Sequence, residues 1–345
     1  MSAKPLEHAS TSGKRPSPSP DRLFETLTAF QQTAALTAAI ELDLFTAIGE
    51  GQNTVPVLAK KVNGTERGVR ILCDCLAVLG FLTKSDDRYS LTTESAVFLD
   101  KRSQAYLGSA KNFLASPLMK EGVKDLATVV RSGRPLHDHP FSAADHPIWV
   151  EFARSMAPLL YLPAQLTAEL IDNQSQMKVL DIAAGHGMFG ITIARRNANA
   201  RIVALDFPQV LAVAHENASR AGVSSRYSLL PGNVLELELG TGFDVVLVPN
   251  LMHSLDRAAN DLLLKKIHEA LAPKGRIAIV EFAPNDDRIS PRVPALFALA
   301  MLANNTGDAY TISEHRAMLN NAGFQECEVH PLLPTPFTAI VARKG

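Results

Sequence analysis

The sequence predicts an α/β fold, a doubly wound and mainly parallel sheet preceded by a smaller helical module. Three observations predict it. After Gln176, apolar runs alternate with amphipathic segments of helical period, the pattern of repeated βαβ units. The first of those runs leads into a glycine-rich loop, Gly185-His186-Gly187-Met188-Phe189-Gly190. Ahead of residue 105 the order is helix, helix, hairpin, which is that of a winged helix.

The bulk properties narrow the partners. The chain has 345 residues, room for two or three domains, with 46% apolar and 20% charged residues. A formal net charge of −1 argues against non-specific binding to nucleic acid or an anionic membrane. No apolar run is long enough for a transmembrane helix. The three cysteines, Cys73, Cys75 and Cys327, are too few for a disulfide framework, so they read as small buried hydrophobes in a reducing cytoplasm. The Ser-, Pro- and Lys-rich stretch Met1–Pro20 lacks the apolar core of a signal peptide and reads as a disordered tail.

The N-terminal module is assigned to residues 21–104. Leu23 to Ile48 is helical in composition, with Leu27, Phe30, Leu36, Ile40, Leu44 and Phe45 on more than one face. Such a helix needs cover on several sides, from a partner subunit or from its own chain. A short helix follows from Thr54 to Leu58. A longer one, Glu66 to Leu79, aligns Val69, Leu72, Cys73, Leu76 and Leu79 on one face and ends at Gly80. Phe81–Lys84 and Arg88–Thr92 flank the polar turn Ser85-Asp86-Asp87, a hairpin signal. The helix that would enter DNA carries Glu66 and Asp74 beside Arg67 and Arg70 and is otherwise apolar. That points to packing rather than to DNA.

Residues 105–345 are assigned to a helical linker plus the sheet domain. Lys101 to Ile171 reads as mainly helical, with loops at Ser116-Pro117 and from Arg131 to Pro147. Ile148 to Leu170 is expected to break near Pro158 or Pro163. Strands are expected at Lys178–Ile182, Arg201–Asp206, Tyr227–Pro231, Phe243–Pro249, Arg276–Phe282, Glu326–Leu332 and Thr338–Arg343. Helices are expected at Gly190–Asn197, Pro208–Ala221, Ala258–Leu271 and Ser313–Ala322, the third stopped by Pro273 and Gly275.

Gly185, Gly187 and Gly190 complete a G-x-G-x-x-G, and Asp206 lies at the end of the next strand, an arrangement that dinucleotide sites share. Asp181 separates two ligands. A carboxylate beside the loop repels a pyrophosphate, but it suits the ammonium and sulfonium of S-adenosylmethionine. Asp206 serves either ligand by accepting bonds from ribose hydroxyls.

With these residues in view, the chain resembles the small-molecule O-methyltransferases of the plant caffeate and hydroxyindole type and their bacterial relatives. The resemblance covers nearly everything after residue 20. It rests on Leu42–Phe45, Glu66-Arg67, Leu79–Leu82, Asp181–Gly187, Leu205–Pro208, Pro231–Asn233, Leu251–Asp256, Pro273–Arg276 and Val280-Glu281, in that order. It implies an intertwined homodimer joined through the N-terminal module, and methyl transfer from S-adenosylmethionine to a hydroxyl, releasing S-adenosylhomocysteine without a metal. It assigns Asp181, Gly185, Gly187, Asp206, Phe207, Asn233, Val234 and Asn250 to the cofactor, with Asn233 where many relatives carry an acid.

The resemblance also makes His253 the catalytic base. An imidazole just past the fourth strand can deprotonate a phenol-like hydroxyl. Glu281, at the end of the neighbouring strand, matches a glutamate that orients it. One position departs: Ala309, in Gly307-Asp308-Ala309-Tyr310-Thr311, stands where many plant relatives carry a second acid, and Asp308 could substitute only through a loop shift. Met156 matches a methionine near the transferred methyl. With Trp149, Phe152, Phe297, Met301 and Asn304 it is expected to line an apolar pocket for an aromatic or polyketide-like acceptor. The competing readings are a family member with non-methylating chemistry, a nicotinamide oxidoreductase and a ligand-sensing winged-helix regulator.

Overall fold

The computed structural model describes residues 18–136, 146–171 and 175–345. It divides the chain into two compact units, the second beginning at Lys101. Most of the expected N-terminal tail, residues 1–17, lies outside the described residues.

The first unit opens with α1 (Asp21–Leu27), α2 (Ala29–Glu41) and α3 (Leu44–Gly49). The predicted helical stretch is therefore three helices, broken at Thr28 and again before Leu44, where Asp43 takes φ 55°. Then come α4 (Val55–Lys61), α5 (Glu66–Val78), β1 (Leu82–Ser85), β2 (Arg88–Leu91) and α6 (Thr93–Phe98). The Thr65 hydroxyl caps α5 by accepting from Gly68 N. Ser85 pairs with Arg88, so the hairpin turn is Asp86-Asp87, one residue shorter than expected. Asp86 adopts φ 53°, the left-handed conformation a two-residue turn demands. Leu44, Phe45, Leu58, Cys73, Leu76 and Tyr89 fill the core of this unit. Burial pushes the Cys73 thiol up to about 12, leaving it an inert hydrophobe. By contrast, α1 buries no residue, and Leu23, Phe24, Leu27 and Phe30 are 59–69% exposed.

The second unit begins with α7 (Lys111–Leu114), α8 (Pro117–Gly122), α9 (Leu126–Ser132) and α10 (Ile148–Ile171). Ser116-Pro117, expected as a loop, starts α8: the serine hydroxyl accepts from Met119 N and the proline takes the first turn. Part of the loop expected from Arg131 to Pro147, residues 137–145, lies outside the described residues. The expected break in α10 is absent, and the helix runs through Pro158 and Pro163. A proline inside a helix costs about 3 kcal/mol. Here Met156, Leu160, Ala164, Ala168 and Ile171 are buried along one helix, and that packing outweighs the local propensity.

The alternating region follows as β3 (Met177–Ile182), α11 (Met188–Arg196), β4 (Ala200–Asp206), α12 (Pro208–Arg220), β5 (Tyr227–Pro231) and β6 (Phe243–Pro249). It continues with α13 (Arg257–Ala270), β7 (Leu271–Glu281), α14 (Arg292–Asn304), α15 (Ile312–Asn321), β8 (Phe324–Pro331) and β9 (Thr338–Lys344). β7 starts five residues before the expected Arg276. Pro273 and Gly275 fall in an irregularity of its pairing with β6, between the pairs Phe243–Leu271 and Val245–Arg276, where Lys274 takes φ 65°.

The sheet has seven strands in the order β5-β4-β3-β6-β7-β9-β8. The first five are mutually parallel, and β9 and β8 pair antiparallel. Alternate residues feed two cores: Val179, Ile202 and Val245 on one face, Leu180, Val246 and Val248 on the other. Strand order reverses between β3 and β6, which opens a crevice beyond their carboxyl ends. Both the glycine loop and the His253 turn leave the sheet there.

Candidate active site

Asp181, near the end of β3, is fully buried, and its Oδ2 accepts from Gly190 N at 2.9 Å. This bond ties the strand to the first turn of α11. Between them the backbone turns left-handed at Ala183, Gly185 and Gly187. The loop is then stitched to β4. Gly185 N donates to Asp206 Oδ2 at 2.8 Å, Phe207 N to Asp206 Oδ1 at 2.7 Å, and Ala184 N to the Leu205 carbonyl at 3.0 Å. A β-carbon on Gly187 would lie 2.7 Å from the Tyr227 hydroxyl, whereas one on Gly185 would meet only the Ala183 carbonyl, at 3.8 Å. Gly187 is thus required by packing behind the loop, and Gly185 by its conformation on the open side. His186 is buried, and its Nδ1 accepts from Met188 N. Burial lowers its pKa to about 4, so it is a neutral part of the loop.

S-adenosylmethionine can be tested against this cradle. Burial, reinforced by the charge of Asp206, lifts the Asp181 carboxyl to about 7, and burial lifts Asp206 to about 6. Two acids held in apolar surroundings favour hydroxyl donors and positive charge over a pyrophosphate. Asp181 Oδ1, the Tyr227 hydroxyl and Asn250 Nδ2 are buried without a hydrogen-bond partner among the described residues. The donor set therefore fits a nucleoside with a cationic tail. Asp181 is fully buried and anchors the loop through Gly190. Asn233 is partly committed: its Oδ1 accepts from Leu235 N and its Nδ2 donates to Glu236. One amide proton remains for a ligand. Val234 beside it is buried with Leu180, Ile182 and Leu205.

Past β6, Asn250 turns left-handed at φ 53° and donates its N–H to the Val280 carbonyl. A single 3-10 turn, Met252–Ser254, then presents His253. Its Nδ1 lies 2.6 Å from Oε2 of Glu281, whose Oε1 also accepts the His253 backbone N–H at 3.3 Å. Glu281 is buried, while the His253 side chain keeps 13% of its surface exposed. A carboxylate at Nδ1 fixes the proton there, which leaves Nε2 as the acceptor. Ala309, in the place of the second acid, is buried, and the neighbouring Asp308 pairs with Arg288 at 3.3 Å. The loop shift that would bring Asp308 to His253 is not made.

The residues expected on the acceptor side fall into two groups. The His253 ring meets Phe297 edge-on at 4.9 Å, Phe297 packs on Phe282 at 4.5 Å, and Phe282 on Phe337 at 4.3 Å. Met301 and Asn304 are one and two turns beyond Phe297 on α14 and are buried. Asn304 donates to the Ala300 carbonyl and packs on Gly122. The other group lies on α10. Phe152 stacks edge-on with Phe113 at 4.9 Å and with Trp149 at 6.5 Å, and Trp149 reaches Phe207 beside Asp206. Met156 joins Phe113 and Phe337 in one apolar cluster, against which Phe152 and Phe282 pack. Phe282, Phe337 and Tyr227 escaped the sequence reading because no local motif marks them. Only the adjacency of Phe282 to Glu281 was a signal.

Two family models match the chain. An O-methyltransferase dimerisation domain spans residues 24–101, and an O-methyltransferase domain spans residues 124–325, more than half of the sequence. The chain belongs to the O-methyltransferase family. A crystal structure from Nostoc punctiforme, assigned as an O-methyltransferase, is 44% identical with TM-score 0.92, covering 95% of this chain and 100% of that one. A 3-hydroxy-5-methyl-1-naphthoate 3-O-methyltransferase of Streptomyces sahachiroi is 28% identical over 89% of this chain and 90% of its own. A tetracenomycin polyketide synthesis 8-O-methyl transferase of Streptomyces glaucescens is 24% identical over 94% and 97%. A methyl transferase of a Serratia strain that is 24% identical over 91% of this chain is described as S-adenosyl-L-methionine-dependent, and this O-methyltransferase is S-adenosylmethionine-dependent as a member of that family; the nicotinamide and regulator readings are not favoured. No helix among its described residues is long and apolar enough to cross a membrane, and no metal-binding group of His, Cys, Asp or Glu occurs among them.

Proposed function

We propose that the enzyme methylates a hydroxyl of a small aromatic or polyketide-like acceptor, with His253 as general base and Glu281 as its orienting partner. The contact that carries this reading is the 2.6 Å approach of His253 Nδ1 to a buried carboxylate, with the same ring set edge-on to Phe297. Nε2 takes the proton of the acceptor hydroxyl, Glu281 keeps the proton on Nδ1, and its charge stabilises the imidazolium that forms. Bound S-adenosylmethionine supplies an electrophilic methyl carried on a sulfonium. Asp206 would hold the ribose hydroxyls, with the Gly185–Gly187 backbone, Asn233, Val234, Phe207 and Asn250 as the other residues that would hold the cofactor. Phe297, Met301, Asn304, Phe152 and Met156 make the acceptor wall, and a largely apolar wall with aromatic rings orients an aromatic acceptor. The naphthoate and polyketide specificities of the two Streptomyces relatives support that acceptor class.

The exposed apolar run Leu23, Phe24, Leu27 and Phe30 supports a homodimer built through the dimerisation domain. A cytoplasmic location suits the free thiols.

Calorimetric titration with S-adenosylmethionine and S-adenosylhomocysteine, NAD serving as control, tests the cofactor residues: binding must be saturable and weaker in Asp206→Ala. A screen of hydroxynaphthoates and related phenols then tests the base, since His253→Ala is expected to lose about 10²- to 10⁴-fold in kcat. An unaffected His253→Ala enzyme overturns the proposed mechanism.

A further inference from the structure

The turn that carries His253 has little backbone support of its own. It is entered through the left-handed Asn250 and left through an extended Leu255. Its internal bonds are Ser254 N to the Leu251 carbonyl at 2.9 Å and Leu255 N to the Met252 carbonyl at 3.2 Å. Besides Glu281, which accepts the His253 N–H, a pair of side chains behind the turn holds it. Asn260, fully buried in the first turn of α13, donates both amide protons, one to the Met252 carbonyl at 2.9 Å and one to the Leu255 carbonyl at 3.0 Å. These carbonyls flank His253 on either side. The amide orientation follows from chemistry, because the opposite one would set Oδ1 against two carbonyl oxygens. The buried Tyr310, just ahead of α15, donates its hydroxyl to the same Leu255 carbonyl at 2.7 Å. Three donors thus close on two acceptors, out of water, where each bond is strong and each loss leaves a buried group unpaired.

We propose that Asn260 and Tyr310 are positioning residues for His253: together they clamp the turn from behind and hold the imidazole on Glu281. This rests on the reading of His253 as the base. α13 and the segment before α15 thereby acquire a role in catalysis although neither residue reaches the reacting atoms. A one-ångström drift of a catalytic group costs about 10²-fold in rate, so the clamp bears on the chemistry as well as on the stability of the domain.

The test needs no acceptor. Spectra of the ¹⁵N-histidine-labelled enzyme report which ring nitrogen of His253 carries the proton, with its signals assigned by their loss in His253→Ala. The wild type is expected to hold the Nδ1–H form. In Asn260→Ala and in Tyr310→Phe that form should give way to a mixture, while S-adenosylmethionine affinity stays within about twofold and cooperative melting is kept. Tyr310→Phe retains the ring and decides the matter if Asn260→Ala does not fold. An unchanged tautomer in the folded variants overturns the proposal. The base reading fails separately, through an active His253→Ala enzyme.

Discussion

Gly307 lies against the backbone of His253 so closely that a β-carbon on it would overlap the His253 carbonyl oxygen and sit 2.7 Å from that of Leu255. The glycine is there for proximity, and the first change its loss brings is a displaced base. Gly307→Ala is expected to lower kcat about 10- to 100-fold and to leave S-adenosylmethionine binding intact. Steady-state kinetics with calorimetry checks both halves, and an unaltered kcat contradicts the argument.

Glu281→Gln keeps the size of the side chain and removes its charge. The amide can offer Nδ1 a donor as readily as an acceptor, which releases the tautomer and leaves the imidazolium uncompensated. The expected loss is about 10²- to 10⁴-fold in kcat, with the acceptor KM little changed. A fall confined to KM would instead assign Glu281 to acceptor binding.

The two loop glycines should respond differently to alanine. At Gly185 only the left-handed conformation opposes a methyl, a cost of about 1–2 kcal/mol, and the added carbon occupies the open side of the loop. Gly187→Ala meets the same conformational cost plus the Tyr227 hydroxyl at 2.7 Å, Ile191 at 3.1 Å and Ala214 at 3.2 Å. Urea denaturation is expected to rank Gly187→Ala as the less stable, while Gly185→Ala loses cofactor affinity out of proportion to its stability.

Cofactor affinity should depend on pH with a definite sign. In the free enzyme Asp206 titrates at about 6 and Asp181 at about 7, both raised by burial. Their contribution to the stability of the ligand-free fold is full below the ordinary carboxylate range and is lost as pH rises through 6 to 7. A ligand that donates hydroxyls and carries positive charge prefers the ionised acids. Binding is expected to tighten from about pH 5 to 8 and then level off, and Asp206→Asn should remove the part of the rise centred near 6. A pH-independent dissociation constant rules this out.

His315, in the first turn of α15, is buried with Nδ1 unpaired among the described residues, and burial lowers its pKa to about 4. Its contribution to stability is full above the ordinary histidine range and fades as pH falls towards 4. His315→Leu removes the orphaned nitrogen along with that proton deficit. Relative to the wild type, the variant should gain stability steadily between pH 6.5 and 4. Thermal melts across that range check it.

Much of this was legible in the sequence. The strands of the parallel sheet are apolar on both faces, and β5 and β6 match their predicted spans residue for residue. The candidate residues Asp181, the glycines, Asp206, His253 and Glu281 stand out because each lies at or just past a strand end, where a motif can be read. What escaped is what packing decides. The prolines of α10 read as breaks, yet burial along the helix overrides them. Pro273 and Gly275 read as a stop and belong to a bulged strand start. Asn260 and Tyr310 look like ordinary helix and loop residues until the fold sets both behind one turn, and Phe337 is far in sequence from the histidine whose aromatic stack it terminates.

The pairing of β6 with β7 carries a last implication. Pro249 stands opposite Val280, so the exit of one strand and Glu281 on the other arrive at the same rim of the sheet. The proposed acid–base couple is thereby encoded in strand registry, where a one-residue slip would turn Glu281 to the opposite face. The proposed acceptor wall is carried on other elements, α10 and α14. Such a division lets one half diversify while the other stays put: transplanting α14 between relatives should redirect which phenol is chosen and spare the machinery that deprotonates it.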